Sequence, residues 1–356
     1  MAEPKGQDNL TEEALSHWYV RLLANGIAYA DAADVIPRVT SWREWCRLWI
    51  ERAALREREA EEMARAGRRL SAAEGFARAA LAFHFAQFVY NEDPDLKREA
   101  QDRKVACYAR ALPDLRPPGE MVRIPYEGGD LPGVLRIPEG RERPACVILI
   151  AGLDSTKEEF YTLEAVVHAR GMATLSFDGP AQGERAHLPL RPDYEHVVSA
   201  VVECLCAGGR VDPDRIGALG VSLGGYYAPR SLAHEKRLRA AVAVGGLFDL
   251  SEIWSTIPAL TRKGLSEAFG APEAEAARRA GEVSLRGRLK GLDRPLLIIH
   301  GELDRLCPIS HARMMAEEAG AAAELVIYPE GVHVCNNVPF LWRPLAADWL
   351  AGKLDA

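Results

Sequence analysis

Apolar residues recur along this chain in two different rhythms. Over residues 1 to about 115 they fall at helical spacing. Trp42, Trp45 and Trp49 stand at i, i+3 and i+7, which puts three indoles on one helical face. Within Glu74–Tyr90, residues Phe76, Ala79, Ala80, Phe83 and Ala86 keep the same spacing, and Phe85, Phe88 and Val89 widen the stripe. Both faces are expected to form helix-on-helix core, with His84 as a packed histidine beside the stripe. The run LPDLRPPGE ends this part, because paired prolines cannot continue a helix.

From Glu120 the rhythm changes to short apolar runs alternating with helical stretches. MVRIPYEGGDLPGVLRIPEG reads as two strands around a Gly-Gly turn. PACVILIAG, MATLSF, RIGALGV, LRAAVAV, RPLLIIHG and AELVIYP read as buried strands, with helices in DYEHVVSAVVECLCAG and LWRPLAADWLAG. Strand–helix alternation of this kind predicts an α/β fold, a mostly parallel sheet covered by helices on both faces. The rhythm breaks over about 247–291, a stretch too long for an ordinary connection and expected to fold over the sheet's edge. The chain therefore divides into a helical N-terminal domain, 1–115, and a strand-bearing domain, 116–356.

Composition narrows the function classes. The 356 residues are 48% hydrophobic, enough for a large core with an appendage. The formal charge of −7 is spread along the chain with no basic block, so a nucleic-acid partner is not expected. The apolar runs are far shorter than a membrane span, and MAEPKGQDNL carries no apolar leader segment. The seven cysteines are scattered, and Cys204 and Cys206 have no second ligand cluster near them in sequence. Reduced thiols in a cytoplasmic protein, with no metal, are the expectation.

The chemistry is concentrated in the strand-bearing half. Gly220-Val221-Ser222-Leu223-Gly224 fits G-x-S-x-G, in which a sharp strand-to-helix turn presents a serine and flanking glycines avoid a clash. The bland alternative is a tight turn that needed small residues. A serine hydroxyl needs an oriented base to become a nucleophile. In this architecture the acid and then the histidine follow the serine, and Asp304 (IIHGELD) and His333 (YPEGVHV) stand past the ends of two later strands. Taken alone, Asp304 reads equally as a turn or cap residue and His333 as a solvated loop histidine. Glu302 lies closer to its strand, and His300 within it. The backbone N–H groups of Leu223 and Leu153 are the expected donors to a developing oxyanion.

AGLDSTKEEFYTLEAVVHARGMATLSFDGPAQGE, GVSLGGYYAPR and GVHVCNN resemble the branch of the α/β-hydrolases that contains 2,6-dihydroxypseudooxynicotine hydrolase, close to fungal polyketide-shortening hydrolases. The resemblance runs from about Glu120 to the C-terminus. It implies cofactor-free cleavage of a carbon–carbon bond beside a ketone, by a triad of Ser222, Asp304 and His333. It also implies a helical N-terminal domain that caps the site and helps form a homodimer, and an acidic pocket residue, for which Asp249 and Glu252 are the nearest candidates. The aromatic residues of the helical half suggest a bulky, partly aromatic or polyketide-like small molecule. Three alternatives stay open: a carboxylesterase, a lyase that eliminates an acyloxy group with the same triad, and a binding protein on a hydrolase fold.

Overall fold

The structure, a computed structural model, describes residues 7–355. Residues 1–6, which carry much of the reading of the N-terminal segment, lie outside the described residues, as does residue 356. Two compact units account for the chain. One comprises the chain up to Glu120 together with Glu158–Thr162; the other holds Met121–Lys157 and Leu163 onward.

The first unit is helical: α1 (Asn9–Ala24), α2 (Tyr29–Val35), α3 (Trp42–Arg65), α4 (Arg69–Gln87) and α5 (Pro94–Ala111). In α3 the three tryptophans are buried, as their spacing predicts, and the rings of Trp42 and Trp45 stack 4.7 Å apart. Two of the three indole N–H groups are satisfied by backbone: Trp45 donates to Phe85 O at 2.7 Å and Trp42 to Val89 O at 3.2 Å, while that of Trp49 is buried with no acceptor among the described residues. Helix α4 is buried along nearly its whole length, which is how a helix that is apolar all round is stabilised. The inclusion of Glu158–Thr162 was not legible beforehand, and its physical basis is charge. Glu159 is buried and accepts from the Arg21 guanidinium at 2.7 Å and from Asn25 at 2.7 Å, with His84 at 3.2 Å. Burial works to raise this carboxyl, but Arg21 and His84 overcome it and hold the group far below the usual carboxylate range. His84 is packed, and it is packed against an anion.

The second unit is built on an eight-stranded sheet. Its strands are β1 (Gly119–Tyr126), β2 (Gly129–Arg136), β3 (Cys146–Ile150), β4 (Ala173–Phe177), β5 (Ile216–Val221), β6 (Leu238–Val244), β7 (Leu296–Gly301) and β8 (Ala323–Tyr328). The order across the sheet is β1-β2-β4-β3-β5-β6-β7-β8. β2 pairs antiparallel with β4, and from β4 to β8 every pairing is parallel. The central strands are buried on both faces, as their unbroken apolar runs require. The helices of this unit are α6 (Tyr161–His168), whose first two residues count with the first unit, α7 (Glu195–Gly208), α8 (Gly224–His234), α9 (Ala259–Phe269), α10 (Glu273–Arg279), α11 (Ile309–Ala319) and α12 (Pro339–Lys353). From β3 the chain goes to β4 on one side and then returns to β5 on the other. The crevice beyond the carboxyl ends of β3 and β5 is therefore the topological switch point, where open α/β sheets bind ligands.

The irregular stretch between β6 and β7 contains α9 and α10. It departs from β6, an interior strand, and backbone bonds from Leu250 N to Val283 O and from Leu285 N to Phe248 O close its base. Its Ile253, Ile257, Leu265 and Phe269 join the apolar cluster of the sheet, so burial of this stripe holds the excursion down. Among the described residues no helix is long and apolar enough to cross a membrane.

Two buried histidines of this unit set an acid limit on stability. Burial pushes His168 down to about 3 and His311 down to about 4. His311 Nδ1 accepts the backbone N–H of Phe248 at 3.0 Å, which requires that nitrogen to be unprotonated. Above about pH 6.5 both are neutral whether folded or unfolded. Below it the unfolded chain takes up protons that the native state refuses, so stability falls from about pH 6.5 and levels off near the folded values. Each histidine contributes a slope of about 1.4 kcal/mol per pH unit in that window. Urea unfolding across the pH range is expected to show this, and His168→Leu is expected to remove one proton's worth of slope.

Candidate active site

Ser222 is the single residue between the last residue of β5 and the pair Leu223–Gly224 that opens α8. Its backbone is left-handed, φ +57°, a conformation that costs a non-glycine residue about 1–3 kcal/mol and is kept where the surroundings enforce it. Here they do. Ser222 N donates to Val244 O at 2.9 Å and Ser222 O accepts from Gly225 N at 2.8 Å. A Cβ on Gly220 would stand 1.9 Å from Gly224 O, and one on Gly224 would stand 2.2 Å from Ile150 O. The flanking glycines are therefore a steric necessity of the elbow.

Asp304 follows β7 and His333 follows β8. The two loops are tied to each other through backbone: Leu303 N donates to Gly331 O at 2.9 Å and Glu302 N to Tyr328 O at 3.0 Å. The result is a continuous hydrogen-bonded chain. His333 Nδ1 lies 2.8 Å from Asp304 Oδ2, and His333 Nε2 lies 2.9 Å from Ser222 Oγ. An ionised carboxylate can only accept, so Nδ1 carries the imidazole proton and Nε2 is left to accept from the serine hydroxyl. The other oxygen of Asp304 accepts the N–H groups of Leu306 and Cys307, each at 2.9 Å. Burial works to raise the Asp304 carboxyl, but His333 and His300, with these hydrogen bonds, hold it below the usual carboxylate range. The aspartate is thus ionised and locked in orientation.

His300 is fully buried in β7, donates to Cys307 O at 2.7 Å, and lies 3.5 Å from Asp304 Oδ2. Glu302 is exposed. Leu153 and Leu223 lie beyond the ends of β3 and β5, on either side of the switch point. Among the described residues neither backbone N–H has a backbone acceptor. Asp249 and Glu252 are engaged elsewhere. Asp249 accepts from Ser251 N at 3.0 Å, Ser284 Oγ at 2.9 Å and Arg286 Nε at 3.0 Å, and Arg286 also pairs with Glu252. These bonds staple the excursion after β6, and the structure does not bring either carboxylate to Ser222 by any hydrogen bond it records.

Two features escaped the sequence reading. Gln182, in the loop after β4, bonds the loop after β3, as described below. In the same loop, the buried ammonium of Lys157 lies 2.8 Å from Asp178 and 2.7 Å from Glu184. The conspicuous DGPAQGE in the sequence was the available signal for both.

The parallel sheet, the switch-point crevice and the strained elbow together are those of an α/β-hydrolase. The chain belongs to the FrsA-like esterase family, whose description, esterase FrsA-like, matches residues 7–286. It is 36% identical over 351 residues to 2,6-dihydropseudooxynicotine hydrolase of Paenarthrobacter nicotinovorans, covering 97% of this chain and 94% of that one. The crystal structure of a 2,6-dihydroxy-pseudo-oxynicotine hydrolase superposes with a TM-score of 0.87 at 36% identity, over 94% of this chain and 95% of that one. The α/β hydrolase xenA of Xenoacremonium sinensis is 34% identical over 224 residues, 59% of this chain and 52% of the relative, so the chain spans about half of that fungal protein. The likeness seen in three blocks thus extends over nearly the whole chain, the helical N-terminal unit included. The protein is a hydrolase of the α/β-hydrolase type.

Proposed function

We propose that this protein is a cofactor-independent serine hydrolase in which Ser222 attacks a carbonyl carbon of a bulky small molecule. The observation that carries the reading is the unbroken chain from Asp304 through His333 to a serine held at positive φ. As Ser222 Oγ bonds to the carbonyl carbon, its proton passes to His333 Nε2, and Asp304 stabilises the imidazolium that results. The carbonyl oxygen becomes an oxyanion facing the N–H groups of Leu153 and Leu223. Collapse of this intermediate breaks the bond to the leaving group, which takes the proton from His333. Water then attacks the acyl-serine, gives its proton to the same nitrogen, and releases a carboxylate.

The near full-length relative is named for hydrolysis of a pseudooxynicotine, and this supports a carbon leaving group, that is, cleavage beside a ketone. The family's esterase description supports a second reading, an alkoxide leaving group. Both predict the same isotope result. Turnover of 2,6-dihydroxypseudooxynicotine, or of an ester of comparable bulk, in H₂¹⁸O is expected to place one ¹⁸O in the carboxylate, read by mass spectrometry. An unlabelled acid with an alkene co-product would show elimination and move the protein to the lyases. The ratio of kcat/KM for the two probes decides between ketone and ester.

A further inference from the structure

One buried side chain outside the triad ties the loop after β3 to the loop after β4. Gln182 is 3% exposed. Its Nε2 donates to Ala151 O and to Gly152 O, both at 2.9 Å. Its Oε1 accepts from Gly179 N at 3.0 Å and from Tyr194 Oη at 2.9 Å. A backbone N–H can only donate, so the atom facing Gly179 is the amide oxygen, and the orientation of the amide is settled by its partners.

The bond to Gly152 O has a geometric consequence. A trans peptide is planar and carries its C=O and N–H on opposite sides. The peptide joining Gly152 to Leu153 has its oxygen drawn to Gln182, so the N–H of Leu153 is aimed the other way. This peptide also runs directly beside the elbow. A Cβ on Gly152 would stand 3.1 Å from Ser222 Cβ and 3.6 Å from Leu223 N. A peptide released from Gln182 is free to rotate, and a half-turn would present a carbonyl oxygen where negative charge has to develop.

We infer that Gln182 is a positioning residue that fixes the Leu153 N–H as an oxyanion donor, with Tyr194 holding the Gln182 amide. The inference rests on the reading of Ser222 as the nucleophile. Gln182 touches no reacting atom; it acts through one peptide plane, so its removal costs transition-state stabilisation more than substrate binding.

The test uses the full chain with p-nitrophenyl butyrate, a fluorophosphonate, and a trifluoromethyl ketone paired with its methyl ketone. Gln182→Leu is expected to lower kcat by about 100-fold with KM within about twofold, the scale of losing one oxyanion donor. Fluorophosphonate labelling should slow, and the trifluoromethyl ketone, whose adduct bears an oxyanion, should weaken while the methyl ketone does not. Should that variant fail to fold, Tyr194→Phe removes one of the two anchors of Oε1 and is expected to give a smaller loss of the same kind. Gln182→Glu adds a readout that a purely structural role would not move. Its carboxyl can donate to a carbonyl only when protonated, so its rate relative to the unaltered protein should rise as pH falls. Unchanged kcat in folded Gln182→Leu or Tyr194→Phe would overturn the inference, as would equal weakening of both ketones. Failure of the underlying reading is separate: it would appear as fluorophosphonate labelling retained in Ser222→Ala, whatever Gln182 does.

Discussion

Ser222→Ala is expected to lower turnover by about 10⁴- to 10⁶-fold and to abolish fluorophosphonate labelling, while the fold is unchanged. The loss is large because no neighbouring group can replace the hydroxyl. His333 Nε2 faces the Ser222 oxygen at 2.9 Å. The fold survives because alanine keeps the Cβ that the elbow already accommodates at φ +57°, so backbone strain is the same in both proteins. Circular dichroism and the urea midpoint should match those of the unaltered protein, and intact-mass analysis should show no adduct. An adduct on the variant would assign the nucleophile elsewhere.

Asp304→Asn is expected to cost about 10⁴-fold in kcat, through the wrong histidine tautomer rather than through displacement. The argument depends on the second oxygen of Asp304. Because Oδ1 accepts two backbone N–H groups, from Leu306 and Cys307, an asparagine must turn its carbonyl toward them. Its NH₂ then faces His333 Nδ1, which has to become the acceptor, and the proton moves to Nε2. A protonated Nε2 cannot take the proton of Ser222. The measurement is kcat and the fluorophosphonate labelling rate of a variant shown to be folded. A loss of less than about tenfold would mean that Asp304 does not orient the base.

The strands of the sheet could be read from the sequence because each is a local pattern, an apolar run such as Cys146–Ile150 or Leu296–Gly301 bounded by turn residues. The proximity of Ser222, Asp304 and His333 was expected for a related reason. In a parallel sheet every strand delivers its following loop to the same end, so chain order alone predicts a meeting point. What could not be read depends on pairing between distant residues. Glu159 looks like one acid in the run KEEF, and only Arg21, Asn25 and His84 explain its burial. Gln182 looks like a polar loop residue, and its role follows from two carbonyls 30 and 31 positions earlier in the chain. Asp249 and Glu252, the nearest candidates for the acidic pocket residue that the resemblance implies, are likewise paired at a distance, because Arg286, 37 positions on from Asp249, engages both. Side chains whose partners lie far along the chain leave no periodic trace.

The order in which the loops of the site are synthesised also shapes how the protein comes into being. Leu153, Ser222, Asp304 and His333 leave the ribosome in that sequence, and His333 belongs to a loop behind β8, the outermost strand on its side of the sheet. Long-range parallel pairings form slowly because loop closure precedes any gain from contact. Until β8 docks against β7, the serine has no imidazole to accept its proton and is chemically an ordinary hydroxyl. Under the proposed mechanism, a nascent or truncated chain is therefore expected neither to consume acyl compounds nor to be trapped by them, and reactivity is expected to arrive together with completion of the fold.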